Sequence, residues 1–464
     1  MTNGEVRPYP AFRAQAIYWR AEARLFAGAL RYGASRMQAG YRGRVRVNGA
    51  ASCWALWVRG TLAAKIDRGG HVGKARGKDR RAGRGRGRHG AERADAAVSP
   101  ESLPALDAMR DVPSFSDLHL DDRQRAAFDA FARDFEAPDE LAIGCVVRLD
   151  RGFPLIACAD AVFRAEHAVE FAKGRRMADD SERLLPAVGD WVAVRRAPGH
   201  EHGVIVQVLP RRTSFVRWRG KSRGERQVLA ANVDVIFIVQ PLGADRDTPG
   251  LMRDRVARSM VLTRDCGAEP VVVLTKVDRV EPDALAAAVA NVRALVGEQV
   301  PVIATSSKEG RGLEAVRACV PSGSCAMILG ESGAGKSTLL NALLGHEALA
   351  TGAVRTRDDA GRHTTVARVM VALPAPCGVV ADAPGLRSLP LMGHERGLAL
   401  AFPEVIEAAR ACRFNDCTHT HEPGCAVRDG VARGEIAEVR VEAFLSLARE
   451  MRVSAQSLDP DIHL

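Results

Sequence analysis

Residues 330–340 read GESGAGKSTLL, and 55 positions earlier residues 275–278 read TKVD. The first stretch follows the pattern glycine, four residues, glycine, lysine, then serine or threonine. It comes after the apolar run CAMIL and opens a helix-forming segment. In that setting the glycines let successive N–H groups turn inward around a phosphate, the lysine reaches the terminal phosphate oxygens, and the hydroxyl completes a Mg²⁺ shell. Gly330, Glu331, Ser332, Gly333, Ala334, Gly335, Lys336, Ser337 and Thr338 are therefore expected to line a nucleotide, with Ser337 on magnesium.

TKVD ends its own apolar run, PVVVLT, and has the chemistry to select guanine. The Asp278 carboxylate can accept two hydrogen bonds from N1–H and the exocyclic amine, which adenine does not offer, while the Lys276 stem lies along the base. Thr275 stands where asparagine is more usual, and Val277 completes the motif. Ser306, Ser307 and Lys308 in TSSKEG read as a loop touching the guanine O6 through backbone N–H groups, or as a plain serine helix cap. Only five lysines occur after residue 140, and three of them are Lys276, Lys308 and Lys336, which argues against filler.

DAPG (382–385) follows the apolar CGVVA, so Asp382 should reach Mg²⁺ through water and the Gly385 N–H should meet a γ-phosphate. The order is then base motif, O6 loop, phosphate loop, switch segment, DAPG. In ordinary guanine-nucleotide switches the base motif comes after the phosphate loop. The predicted fold is accordingly an α/β P-loop domain with circularly permuted motif order, which is tolerated when the packed core is preserved. VDVIFIVQ, 251–265, PVVVLT, 282–296, VPVIATS, GLEAVRACV and CAMILG supply its alternating strands and helices.

Upstream, LAIGCVVRL, FPLIACA, AVGDWVAVRR and GVIVQVLP predict a small antiparallel, OB-like β-barrel of about five strands over 137–212. Such barrels bind RNA or serve as structural modules. The predicted boundaries are 1–136 for a basic, largely disordered extension, 137–212 for the barrel, 213–390 for the nucleotide domain and 391–464 for a mostly helical C-terminal domain. Of the net charge of +10, residues 1–100 carry +15 and the remainder −5. KARGKDRRAGRGRGRHG (74–90) holds much of that basicity and is too polar to fold. It reads as a solvated linker or an RNA-contacting tail; a third reading places much of 1–110 upstream of the true start, with Met109 as initiator. No run approaches the ~20 apolar residues of a membrane span.

CRFNDCTHTHEPGC (412–425) holds three of the ten cysteines. Cys412, Cys417, His419 and Cys425 supply enough thiolate and imidazole for one structural, tetrahedral Zn²⁺, with His421 the rival nitrogen and a disulfide the other alternative.

Taken together, the permuted order, GRHTT (361–365), DAPG, VGDWV (188–192) and CRFNDCTHTHEPGCAV (412–427) resemble the ribosome small-subunit-dependent GTPase A family of bacterial ribosome-biogenesis GTPases. The resemblance covers about residues 115–464. It implies a barrel, a permuted GTPase domain and a zinc-binding domain. It further implies the 30S subunit and its 16S rRNA as partners, and GTP hydrolysis to GDP late in small-subunit assembly, with release on hydrolysis. A cytoplasmic monomer without membrane contact is expected. Leu386 follows the DAPG glycine and has neither donor nor acceptor. The attacking water is therefore expected to be oriented by His363, the histidine the family uses, or by a ribosomal group, with Thr364 or Thr365 on Mg²⁺. The competing functions are a nucleotide-gated RNA-binding scaffold with negligible hydrolysis, and an ATP-using P-loop enzyme.

Overall fold

The computed structural model describes residues 109–150, 153–168, 185–200, 202–219, 225–243, 249–348, 368–382, 391 and 393–458. The extension before residue 109, GRHTT with His363, Thr364 and Thr365, and Gly385 and Leu386 lie outside the described residues.

Five strands close a barrel: β1 (Leu141–Asp150), β2 (Phe153–Cys158), β3 (Val162–His167), β4 (Trp191–Arg195) and β5 (Gly203–Val208). They pair in the order β1-β2-β3-β5-β4, and β4 returns to β1. Closure is possible because β1 is long: Leu141–Cys145 pair with β4 while Gly144–Asp150 pair with β2. Gly144 belongs to both ladders, and a Cβ there would stand 2.4 Å from Ile156 and 2.6 Å from Cys158. The barrel interior is apolar, with Val146, Ile156, Phe163, Val192, Val194 and Ile205 all buried.

Part of the stretch assigned to the extension is folded. The helix α1 (Asp122–Arg133) starts with a capping box in which Asp121 accepts from Gln124 N–H. The fully buried Gln124 amide donates to Pro210 O and Asn232 Oδ1, both at 3.1 Å, which fastens the helix to the segment after β5 and to Asn232, while Ala127 and Phe128 pack with Cys145 and Trp191 of the barrel strands.

Strands β6 (Ser214–Arg219) and β7 (Glu225–Ala231) form a separate antiparallel pair. The nucleotide-domain strands are β8 (Val235–Pro241), β9 (Glu269–Thr275), β10 (Val302–Ala304), β11 (Cys325–Leu329), β12 (Arg368–Ala372) and β13 (Val379–Asp382), in the sheet order β10-β9-β8-β11-β13-β12. All are parallel except β12. The continuous apolar runs of β8, β9 and β11 are what a sheet covered on both faces requires. The covering helices include α2 (Pro249–Cys266), α3 (Pro282–Val296), α4 (Leu313–Arg317) and α5 (Lys336–Leu344). From β8 the chain moves outward through β9 to β10 and then returns to β11 on the other side of β8. This reversal places a topological switch point between β8 and β11, where such sheets take their ligands.

The permuted core begins at β8 and its last strand is β13. β12 pairs with β13 on one side and, through Arg148↔Val369 and Leu149↔Arg368, with barrel strand β1 on the other, so barrel and core share one sheet. Beyond the core, α6 (Glu395–Ala401), α7 (Pro403–Ala409), α8 (Ala426–Ala432) and α9 (Glu438–Leu458) make a mostly helical C-terminal region. Its packing on the core includes buried Arg440, which donates to Leu295 O, Ala401 O and the Glu404 carboxylate. Asp265 of α2 holds it as well, accepting from Gly397 N–H at 3.0 Å and standing 2.7 Å from His394 Nδ1. Among the described residues no helix is long and apolar enough to cross a membrane.

Candidate functional site

Two loops meet at the carboxyl ends of β9 and β11. Gly333 and Gly335, at φ +83° and +92°, take the left-handed backbone that turns the phosphate loop. Gly335 caps α5 without a side-chain acceptor, which leaves first-turn N–H groups of that helix for an anion. Lys336 Nζ folds back over the loop and donates to Gly330 O and Glu331 O, both at 2.7 Å. Ser337 lies in the first turn of α5. Asp382 pairs with Ile328 in the parallel β11–β13 ladder, at the same end of the sheet.

TKVD is fastened to this loop rather than merely near it. Thr275 is 3% exposed, and its hydroxyl donates to Ala334 O at 2.7 Å. A threonine hydroxyl thus makes the brace at the position where asparagine is more usual. Lys276, held at φ +61°, sends its ammonium to Gly333 O at 2.7 Å. Val277 is buried beneath the turn. Asp278 is exposed and its Oδ1 accepts from the Ser306 hydroxyl at 2.8 Å. That hydroxyl, then the local backbone N–H and the nearby Arg279 and Lys308 charges, hold the carboxyl below its ordinary range.

The O6 loop differs from expectation in one respect. Ser306 is fully buried and its N–H donates to Arg311 O at 3.0 Å, so its hydroxyl orients Asp278 while its amide is engaged elsewhere. Ser307 is half-buried and Lys308 exposed. Sequence reading also missed Arg255 on α2, whose guanidinium lies 2.8 Å from Glu331. Nothing in a linear pattern links positions 76 residues apart.

In the C-terminal region, the ligand atoms of Cys412, Cys417, His419 and Cys425 all lie within 4.8 Å of one another. His419 Nδ1 is 3.5 Å from the sulfurs of both Cys412 and Cys425, which are themselves 4.0 Å apart. A tetrahedral ion with ~2.3 Å metal–sulfur bonds sets ligand edges near ~3.8 Å, so the donor set fits zinc. His421 is exposed and engages Thr420, outside the cluster. His419 takes φ +61°, uncommon for a non-glycine residue, to bring its ring inward. Burial in this cluster, with the neighbouring thiols, pushes the Cys417 thiol up to about 12 when no cation is bound. Glu422 was not anticipated: its carboxylate accepts from the N–H groups of Thr418, Thr420 and His421 at 2.9, 3.0 and 3.1 Å and so staples the turn around His419.

Residues 208–392 match the family model described as RsgA GTPase. The chain is 43% identical over 323 residues to the small ribosomal subunit biogenesis GTPase RsgA of Streptomyces coelicolor, covering 69% of this chain and 83% of that protein. It is 39% identical over 361 residues to the protein of the same name from Opitutus terrae, covering 75% and 92%. The crystal structure of YjeQ from Thermotoga maritima shares its fold with a TM-score of 0.50 at 24% identity, covering 67% of this chain and 99% of that one. A permuted P-loop core flanked by a barrel and a Cys₃His helical region, at this level of identity over most of its relatives' length, makes the chain a member of the RsgA GTPase family, whose chemistry is the hydrolysis of GTP with Mg²⁺.

Proposed function

We propose that the chain binds the small ribosomal subunit in its GTP-loaded state, hydrolyses GTP to GDP during late subunit assembly, and leaves when the γ-phosphate is lost. The observation that carries this reading is the fastening of TKVD to the phosphate loop through Thr275 and Lys276, which brings the base motif and the phosphate loop together at one end of the sheet despite their permuted order. The names of its relatives supply the assembly context.

In this reading residues 330–338 wrap the phosphates, Ser337, Asp382 and one of Thr364 and Thr365 hold Mg²⁺, and Gly385 senses the γ-phosphate. Asp278 reads the base edge. O6 falls to the amides of Ser307 and Lys308, because the Ser306 amide is engaged by Arg311. His363 orients the attacking water. Held by Ser337, Asp382 and the threonine, Mg²⁺ would supply charge neutralisation to the phosphates during hydrolysis. Cys412, Cys417, His419 and Cys425 hold one structural Zn²⁺. The barrel (137–212) and the C-terminal region (391–464) meet 16S rRNA, the GTPase domain spans 213–390, and the protein works as a cytoplasmic monomer. Residues 1–136 are given no part in catalysis.

Multiple-turnover hydrolysis with and without purified 30S particles tests the reading, with ATP as competitor. Strong stimulation by 30S, indifferent to ATP, is expected. Tight GTP-dependent 30S binding without turnover would favour the scaffold, and effective competition by ATP would favour the ATP-using enzyme. Within this scheme His363→Ala should keep GTP affinity and 30S binding but lose most stimulated hydrolysis. Hydrolysis at the parental rate would move the activating group to the ribosome.

A further inference from the structure

Glu331 is an awkward residue for its place. It is the second residue of a loop that cradles a polyphosphate, and its own carbonyl is one of the two that hold the Lys336 ammonium. A carboxylate there repels the anion that the loop's N–H groups and lysine attract. Arg255 answers it: a guanidinium nitrogen of this α2 residue stands 2.8 Å from Glu331 Oε2.

Isolated surface ion pairs usually contribute little, because two long side chains must be immobilised. Here the arginine is largely immobilised already, with its side chain 23% exposed against 54% for the glutamate. The helix that carries it is pinned along its length. Arg258 makes a two-pronged pair with Glu450 of α9, Arg253 lies 4.0 Å from Glu442, and Asp265 holds His394 and Gly397. Arg255 is thus a counter-charge fixed from outside the nucleotide motifs.

We propose that Arg255 is a positioning residue for the phosphate loop: it draws the Glu331 carboxylate toward α2 and cancels its charge, so that an element remote in sequence sets the affinity for the triphosphate. The proposal rests on the reading of residues 330–338 as the nucleotide's seat. GTP, with its additional phosphate charge, should feel the pair more than GDP does. Salt should weaken the effect, because Glu331 is half exposed.

The test is the Kd of Mg-GTP and of Mg-GDP, read with fluorescent nucleotide analogues at low and high salt, for the full chain and its variants. Arg255→Gln should weaken GTP about three- to tenfold at low salt and GDP less, with both effects shrinking at high salt. Arg255→Lys should recover most of the loss. E331Q alone should tighten GTP, and R255Q with E331Q should return close to parental affinity, because the net charge beside the loop is again that of the pair. A double variant as weak as R255Q alone would overturn the proposal, since Arg255 would then act without Glu331. Parental GTP binding with an indifferent R255Q would overturn it as well. A parental chain that binds no guanine nucleotide would overturn the reading of the loop, and the proposal with it.

Discussion

The guanine-reading corner and the Cys₃His turn are both small constellations of polar side chains, and they are held in opposite ways. Thr275, Thr305 and Ser306 are buried at the ends of β9 and β10, and their hydroxyls donate to Ala334 O, Leu274 O and the Asp278 carboxylate. The strand ends and their loops hold these three hydroxyls in place. Between 412 and 425, by contrast, Cys425 is the only buried residue, Phe414 is 40% exposed, and the cysteines are the main apolar anchor to the core. A segment with so little to bury would, on the proposed zinc reading, draw its order from the cation its donors share.

The contrast is broken most severely by removing a thiolate. Cys417→Ala should take the metal from about one zinc per chain to none by elemental analysis and make 412–425 a site of rapid proteolysis, with GTP binding intact. Parental zinc content in that variant would remove Cys417 from the ligand set. At the guanine corner the same logic forecasts loss of recognition without loss of fold. Asp278→Asn deletes an acceptor of two charge-assisted hydrogen bonds, so GTP should weaken about a hundredfold while xanthosine triphosphate binds better. Unchanged GTP affinity would refute the assignment of TKVD. Thr275→Val is milder. It leaves Ala334 O without its hydroxyl donor and should cost about 1 kcal/mol, about fivefold in GTP affinity, with the preference for guanine over adenine retained. A lost preference would show that Thr275 reads the base rather than braces the loop.

What the sequence made legible follows the same division. Phosphate loop, TKVD and Cys₃His could be picked out because each packs its chemistry into a few adjacent positions, and the helix at 282–296 was readable from its run of Ala, Leu and Val. Elements defined by distant partners were not. Strand β3 was missed because VFRAEH is short and half polar: Phe163 and Ala165 face the barrel interior, while Arg164, 8% exposed, lies on the opposite face and pairs with buried Asp150 at 3.1 Å. The β6–β7 pair and the β12–β1 seam join segments through backbone hydrogen bonds, which leave no trace in side-chain pattern. VGDWV was recognised as a motif, yet its role is architectural. Gly189 at φ +88° would place a Cβ 2.1 Å from Ala231 O, Asp190 takes a two-pronged bond from Arg211 at 2.7 Å, and Trp191 donates to His119 O at 3.2 Å. These contacts join the barrel to β7 and to the segment before α1.

The smallest expected effect bears on whether the guanine corner is fully prebuilt. The Ser306 hydroxyl is the leading cause of the depressed Asp278 pKa, ahead of the local backbone N–H and the charges of Arg279 and Lys308. Guanine recognition needs the carboxylate, because only the ionised form accepts from both N1–H and the amine. A depressed pKa keeps that form populated, so affinity is present above the pKa and is lost as pH falls through it. Ser306→Ala removes the first cause and lets the pKa rise toward the ordinary value of about 3.9. The acid limb of GTP affinity should therefore move to higher pH in the variant, while affinity at pH 7 changes little because Asp278 is ionised in both proteins. Titrating the GTP Kd from pH 7 downward, with circular dichroism to follow the fold, reads the shift directly. An unchanged acid limb would mean that Arg279, Lys308 and the backbone suffice to hold Asp278 ionised. A loss of affinity already at pH 7 would mean that Ser306 matters chiefly by orienting the carboxylate, and that the corner depends on this one hydroxyl for its geometry as well as its charge.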